Sequence, residues 1–201
     1  MNIQDVTKAL KDKGYDVSYF QTKEEAANYL DAKVDGELVG FGDSETLNSL
    51  KLYDRLSTHN EVWDPQHRPE GMSFKEAGKK CLITDIFFTS VNAMTETGEL
   101  VNIDSTGNRI AGSLFGHDKV YFVVGINKIV PTIEDAVWRV RNVAAPPNCA
   151  RHNYKTPCAV KGNRCYDCKS PDRICRALTI HYMKMNRTEM EVVLIGEELG
   201  F

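Results

Sequence analysis

The segment Ser90–Lys128, SVNAMTETGELVNIDSTGNRIAGSLFGHDKVYFVVGINK, decides how the chain is read. It alternates short apolar runs with loops that end in Gly, Asn and charge. Leu100–Ile103 predicts a strand, and Thr106-Gly107-Asn108-Arg109 opens a helix. Val120–Ile126 is apolar, β-branched and aromatic, the composition of a strand buried on both faces of a sheet. It breaks off at Gly125-Ile126-Asn127-Lys128, which sets polar and cationic groups at or just past a strand's carboxyl end. Open α/β sheets bind their ligands there. The expectation is one pocket bounded by Asn92, Glu96, Asn108, Arg109, Asn127 and Lys128.

Elements on either side keep the same rhythm. Thr22-Lys23-Glu24-Glu25 has the form of a capping box opening a helix, and Ser73 is the cap of another helix over Ser73–Cys81. Leu38–Phe41 is a strand followed by Gly42-Asp43-Ser44, where Gly permits a tight turn and Asp43 or Ser44 caps the next helix. Leu82–Val91 is a further strand, joined to Glu99–Ile103 by the turn Thr95-Glu96-Thr97-Gly98. Ile133, Ala136, Val137, Val140 and Val143 mark a helix that ends before Ala145-Pro146-Pro147. Arg176–Met185 and Glu191–Ile195 close the chain as strands. Strands alternating with helices predict an α/β sheet over residues 1–201 as a single domain, carrying a Cys-rich appendage at 148–176.

Composition bounds the function. A chain of 201 residues that is 42% hydrophobic buries a sizeable core. A net charge of −3 with no basic face excludes nucleic acid as the expected partner. No apolar run approaches the roughly 20 residues of a bilayer span. The amphipathic N-terminal pattern lacks the apolar core of a signal peptide, so a cytoplasmic location is expected.

Thiols in that compartment stay reduced, and clustered ones read as metal ligands or redox groups before disulfides. Cys158, Cys165, Cys168 and Cys175 have the spacing x6, x2, x6, with Cys149 upstream. A Cys-x2-Cys turn brings two sulfurs to one site, and the flanking pair closes a four-thiolate shell. Seven Lys and Arg against two Asp between 149 and 176 would offset thiolate charge and lower the thiol pKa values. A 4Fe–4S cluster, a structural zinc, and plain reduced thiols are the three readings. Cys81, at a helix–strand boundary, reads as a small buried hydrophobe.

In the pocket, Arg109 suits bidentate contact with the carboxylate or phosphate of a small substrate, and Lys128 adds a point charge. Asn92, Asn108 and Asn127 would orient the ligand, with Asp43, Ser44 and Thr95 as further contacts. Glu96 and Glu99 are the carboxylates available for acid–base work. Gly112, Gly116 and Gly125 form no dinucleotide fingerprint, and the five histidines show no HxxxH or HExxH spacing.

Gly40-Phe41-Gly42-Asp43-Ser44, the run from Asn92 to Asn102, Gly107-Asn108-Arg109, Val124–Val130 and Leu194–Gly200 resemble the lactate-utilisation (LUD) domain family. The likeness runs from about Gly36 to the C-terminus. It is strongest to small stand-alone members carrying Lys155-Thr156-Pro157-Cys158 and Ser170-Pro171-Asp172-Arg173-Ile174-Cys175. The resemblance implies a NagB/RpiA/CoA-transferase-like fold and a role beside iron–sulfur partner subunits that oxidise lactate to pyruvate. It also implies that Glu96 lies in the loop region where that superfold places an acidic catalytic residue. The expected function is 2-hydroxy-acid oxidation with electron transfer through a Cys-ligated iron–sulfur cluster. An isomerase or acyl/CoA transferase with a structural zinc, and a non-catalytic subunit or ligand sensor, are the alternatives.

Overall fold

The computed structural model describes residues 2–201. Its strands in chain order are β1 (Asp16–Phe20), β2 (Leu38–Phe41), β3 (Glu61–Trp63), β4 (Ile86–Thr89), β5 (Ala93–Thr95), β6 (Leu100–Asp104), β7 (Lys119–Gly125), β8 (Ile129–Val130), β9 (Ala177–His181) and β10 (Glu189–Ile195). The helices are α1 (Ile3–Asp12), α2 (Lys23–Lys33), α3 (Glu45–Ser49), α4 (Leu52–Leu56), α5 (Phe74–Cys81), α6 (Asn108–Leu114), α7 (Ile133–Arg139), α8 (Ala145–Arg151) and α9 (Pro157–Lys161). Both predicted capping boxes form, Thr22 with Glu25 and Ser73 with Glu76.

Six strands make a wholly parallel sheet in the order β1-β10-β7-β4-β2-β3. Its centre is β7, whose residues alternate between two cores as strand geometry requires. Tyr121 and Val123 face a layer with Phe41, Phe88, Leu30, Leu47 and Leu56. Val120, Phe122 and Val124 face the opposite layer with Phe87, Leu10, Met94 and Leu100. A strand lined by apolar layers on both sides reads as a continuous hydrophobic run, which is why Val120–Ile126 was legible.

A second sheet, β8-β5-β6-β9, is mixed: β5 pairs antiparallel with β6 and parallel with β8, and β6 antiparallel with β9. Its β5 and β6 are inserted between β4 and β7 of the main sheet, and its β8 and β9 between β7 and β10. The chain therefore leaves β2 toward β3 on one side, and leaves β4 toward β7 on the other. Such a reversal opens a crevice at the carboxyl ends of the two strands. Here those ends are Gly42-Asp43-Ser44 and Ser90-Val91-Asn92.

Three predicted boundaries shift. The strand Leu82–Val91 reduces to β4, because α5 caps at Leu82 and Thr84 turns its hydroxyl onto the Cys81 and Ile86 carbonyls. Arg176–Met185 reduces to β9, the length over which β6 offers a partner. The helix after Pro131 does not stop at Ala145: a π-helical stretch, Val140–Ala144, feeds directly into α8. Pro146 and Pro147 fall in the first turn of α8, directly after the π-helical stretch. The wider π turn absorbs the change of register, a form often found beside functional sites.

Candidate functional site

A cleft of about 330 Å³ lies at the crevice between β2 and β4. Its floor is Gly42, Asp43, Ser44, Ser90, Val91 and Asn92, and one wall is Asp104, Ser105, Thr106, Asn108 and Arg109. The other wall comes from α8 and the turn after it, with Asn148, Arg151, His152 and Tyr154. Gly42 is required by close approach: a Cβ there would sit 3.0 Å from Phe87 Cζ and from Thr89 Oγ1, and 3.2 Å from Arg109 Cγ. Asp43, at φ 53°, turns the chain in the left-handed region, which Asp tolerates better than most residues.

Lys128 is the most unusual group in the cleft. A short 3-10 turn, Ile126–Lys128, follows β7 and buries the lysine to 3% exposure. Its Nζ donates to Thr46 Oγ1 at 2.7 Å and to Ser90 Oγ at 2.9 Å. Among the described residues it has no ion pair. Burial, with Arg139 and Arg109 nearby, lowers its pKa to about 7. Gly200 (φ 64°) closes over this spot, where a Cβ would lie 2.7 Å from Thr46 Oγ1 and 3.3 Å from Lys128 Nζ.

Arg109 is held in place from behind. Its Nη2 donates to the Ile103 carbonyl at 2.7 Å and to Asn92 Oδ1 at 3.2 Å, while Nε lies 3.7 Å from Asp104 Oδ2. Asp104 is itself engaged by main-chain N–H groups of Ser105, Gly107 and Ile110. Arg139 lies just outside the cleft at 6% exposure and clamps the Asn92, Asn127 and Phe201 carbonyls. Burial lowers its pKa as well. Two buried cations with no side-chain carboxylate partner among the described residues, beside an arginine shared between the Ile103 carbonyl, Asn92 and Asp104, make a site prepared for an anion.

The structure places Asp43, Ser44, Asn92, Asn108, Arg109 and Lys128 along one cleft, with Asn92 hydrogen-bonded to Arg109. It does not bring Thr95, Glu96 or Asn127 to the cleft. β5 starts at the cleft with Asn92 just before it, and three or four residues of extended chain carry Thr95 and Glu96 about 10 Å away. There the Glu96 N–H donates to the Val130 carbonyl, and Thr95 joins Thr97, Glu99 and Lys13 in a separate polar cluster. Asn127 turns its carboxamide to the Leu199 N–H at 3.1 Å, fastening the C-terminal segment. Sequence reasoning missed Thr46, Ser90, Arg139, Arg151, His152 and Tyr154. The first two carried a signal, being hydroxyls next to strand-end turns; the rest depend on how the helices fold back.

Comparison with known families finds the LUD domain over residues 3–195. The chain belongs to the LUD domain family. That family is linked in general terms to lactate utilisation. A DUF162 family protein from Deinococcus radiodurans, known from its crystal structure, is similar over 96% of this chain and 95% of its own, with a TM-score of 0.55 and 14% identity. At that identity the likeness is one of fold. A comparison with curated proteins returns no match.

The cysteine segment of this LUD chain is not the appendage predicted, since its helix α8 runs on from the core and walls the cleft. Its sulfurs do not form the four-thiolate shell either. Among the described residues, no three His, Cys, Asp or Glu side chains form a group that could hold a metal ion. Cys158 packs with Ala145, Cys149 and Ile174, and its Sγ lies 3.2 Å from Thr156 Oγ1. Cys175 packs instead against Ala93, Val101, Ile103, Ala136 and Val140. The basic excess does not lower the thiols that shift most. Burial, opposed by Thr156 and reinforced by Cys158, pushes Cys149 up to about 11, and burial outweighs Arg173 in raising Cys175. The reason is burial: Arg173 does act on the Cys175 thiol by charge and hydrogen bond, but it is also shared with Asp167 and with the Cys168 and Cys175 carbonyls, and desolvation is the larger effect. Cys81 is buried as expected, and its thiol donates to the Trp63 carbonyl.

Proposed function

We propose that this LUD chain binds a small carboxylic acid of the 2-hydroxy or 2-oxo class, lactate and pyruvate being its simplest members, in the cleft between β2 and β4. The observation that carries the reading is Lys128, buried in the cleft without a counter-charge and facing the same space as the braced Arg109. An incoming carboxylate supplies the missing negative charge. Arg109 takes it in charge-assisted contact, Lys128 adds the second cation, and Ser44, Ser90 and Asn108 contact the oxygen on C2. The cleft sits at the ligand-binding end of a parallel sheet, which also accords with a NagB/RpiA/CoA-transferase-like architecture.

Oxidation of a 2-hydroxy acid releases two electrons, and these thiols do not fit an iron–sulfur cluster as they stand. In this reading the electron acceptor resides on a partner subunit, and this chain contributes the acid-binding cleft. Isothermal titration calorimetry with lactate and pyruvate tests the binding; a flat titration for both acids removes the reading. Anaerobic purification with metal analysis tests the acceptor: stoichiometric iron or zinc on this chain alone would mean that 158–175 refolds around a metal. An isomerase or acyl-transferase using the same cleft would take its carboxylate from Asp43 or Asp104, because Glu96 lies elsewhere.

A further inference from the structure

Lys128 does more than balance charge. A lysine buried for structure alone ordinarily has a carboxylate partner, because an unpaired buried ammonium is costly. Lys128 has two hydroxyls instead, and they are neutral acceptors, Thr46 Oγ1 and Ser90 Oγ. Structural clamping of the same turn is already done by Arg139, which holds the Asn127 carbonyl, and by Asn127, which holds Leu199. An amine buried next to other cations is the setting in which lysine becomes a nucleophile at neutral pH. Burial first, then Arg139 and Arg109, move it in that direction.

We propose that Lys128 forms a reversible imine with the C2 carbonyl of a 2-oxo acid whose carboxylate is held by Arg109. This rests on the acid-binding reading of the same cleft and names its chemistry. The neutral amine attacks C2, the new N–C bond forms, and the carbonyl π electrons move to oxygen, which takes up a proton. The nitrogen loses a proton to the Ser90–Thr46 hydroxyl pair, whose oxygens are 3.3 Å apart and hand it on. The carbinolamine hydroxyl then takes up a proton and leaves as water while the nitrogen lone pair closes the C=N bond, and the iminium nitrogen releases its last proton, which restores the one taken up. The sum is amine plus ketone giving imine plus water, with no change of oxidation state. A 2-hydroxy acid has no carbonyl and binds at the same place without a covalent bond.

The test treats the intact protein with pyruvate and sodium borohydride, followed by peptide mass mapping. The expected result is one reduced pyruvate adduct per chain, on Lys128, absent when pyruvate is omitted or when the protein is first unfolded in urea. Arg109→Leu lowers the yield at a fixed pyruvate concentration by about tenfold or more, through loss of a charge-assisted contact. Calorimetry on untreated protein separates the two possible failures. Pyruvate binding with no adduct at Lys128, or with adducts spread over surface lysines, overturns the imine and leaves the acid-binding cleft standing. Neither binding nor adduct overturns both.

Discussion

The cleft and the cysteine segment both looked like sites, and only one is built as one. In the cleft, each chemistry-bearing side chain is braced from behind: Arg109 by Ile103 and Asn92, and Lys128 by Thr46 and Ser90. The buried cation there, Lys128, is left without an ion pair among the described residues, whereas Arg109 lies 3.7 Å from Asp104 and Arg151 2.7 Å from Glu45. In the cysteine segment the opposite holds. Arg141 and Arg173 share Asp167, Arg173 also holds main-chain carbonyls, and Cys175 packs into one apolar cluster while Cys149 and Cys158 pack into another. A site is marked by unsatisfied charge held rigidly, and not by a dense spacing of reactive residues.

The sharpest way to break this contrast is a pair of variants. Arg109→Leu is expected to weaken lactate and pyruvate binding by about 100-fold, the worth of a charge-assisted pair. Replacing Cys158, Cys168 and Cys175 together by Ser is expected to change the same Kd by less than about twofold, since none of them lines the cleft. Calorimetry on the two proteins decides, and the reverse ranking would falsify the assignment of the site.

A buried charge that does have its partner sharpens the point. Glu99 is paired with Lys13 at 2.8 Å and takes hydrogen bonds from Thr95 and Thr97. Burial opposes its ionisation, but Lys13 and the two threonines win and lower its pKa to about 2. A depressed carboxylate stabilises the fold above its unfolded pKa, near 4.5, and that contribution is lost as pH falls through 2. Glu99→Gln is therefore expected to cost about 2 kcal/mol at pH 7 and progressively less toward pH 2. Urea denaturation across that window measures it; a penalty independent of pH would mean that Glu99 acts through packing.

These two charges also show what the sequence could and could not reveal. The run Val120–Ile126 announced a central strand, and its abrupt end announced Lys128, because burial on both sheet faces leaves a visible composition. The strand-end turns carrying Asp43, Ser44 and Asn92 were legible for the same reason. The direction of β5 was not. Thr95 and Glu96 come soon after Asn92 in sequence, yet an extended strand takes them to the other end of a sheet that no local pattern foretold. Arg139 was hidden as one charged position among several on α7, and its role depends on three distant main-chain oxygens. The cysteines misled because spacing fixes only how far apart two sulfurs can be. It does not fix which core each one packs into.

Lys128 offers a gentler test through pH. Arg109 faces it from α6 and Arg139 from α7, with Asp43 and Asp104 on the cleft floor and wall. Burial, reinforced by those two arginines, sets its pKa at about 7, so the ammonium that attracts a carboxylate is lost as pH rises above 7. Lactate affinity is expected to fall in that range, approaching tenfold per pH unit. Lys128→Met flattens the profile. Pyruvate differs, since the neutral amine is the form that reacts with its carbonyl: borohydride-trapped adduct should form faster as pH rises through 7. Opposite pH trends for the two acids on one residue are hard to obtain from a merely structural lysine.

The smallest expected effect lies in the cysteine segment itself. Cys165 and Cys168 lie in a stretch without helix or strand, and Cys165 Sγ accepts the Asp167 N–H at 3.4 Å and lies near enough to Cys175 to raise its pKa slightly. Serine at either position keeps the size and the ability to accept that bond. The stability change should remain within about 0.5 kcal/mol, the range of substitutions that touch no core contact or buried network. A chelator should likewise leave the melting temperature unchanged, because a metal that held this segment would contribute folding free energy of about 10 kcal/mol. A marked drop in melting temperature on chelation would give the four thiols a common ligand, and would move the segment to the cleft's side of the comparison.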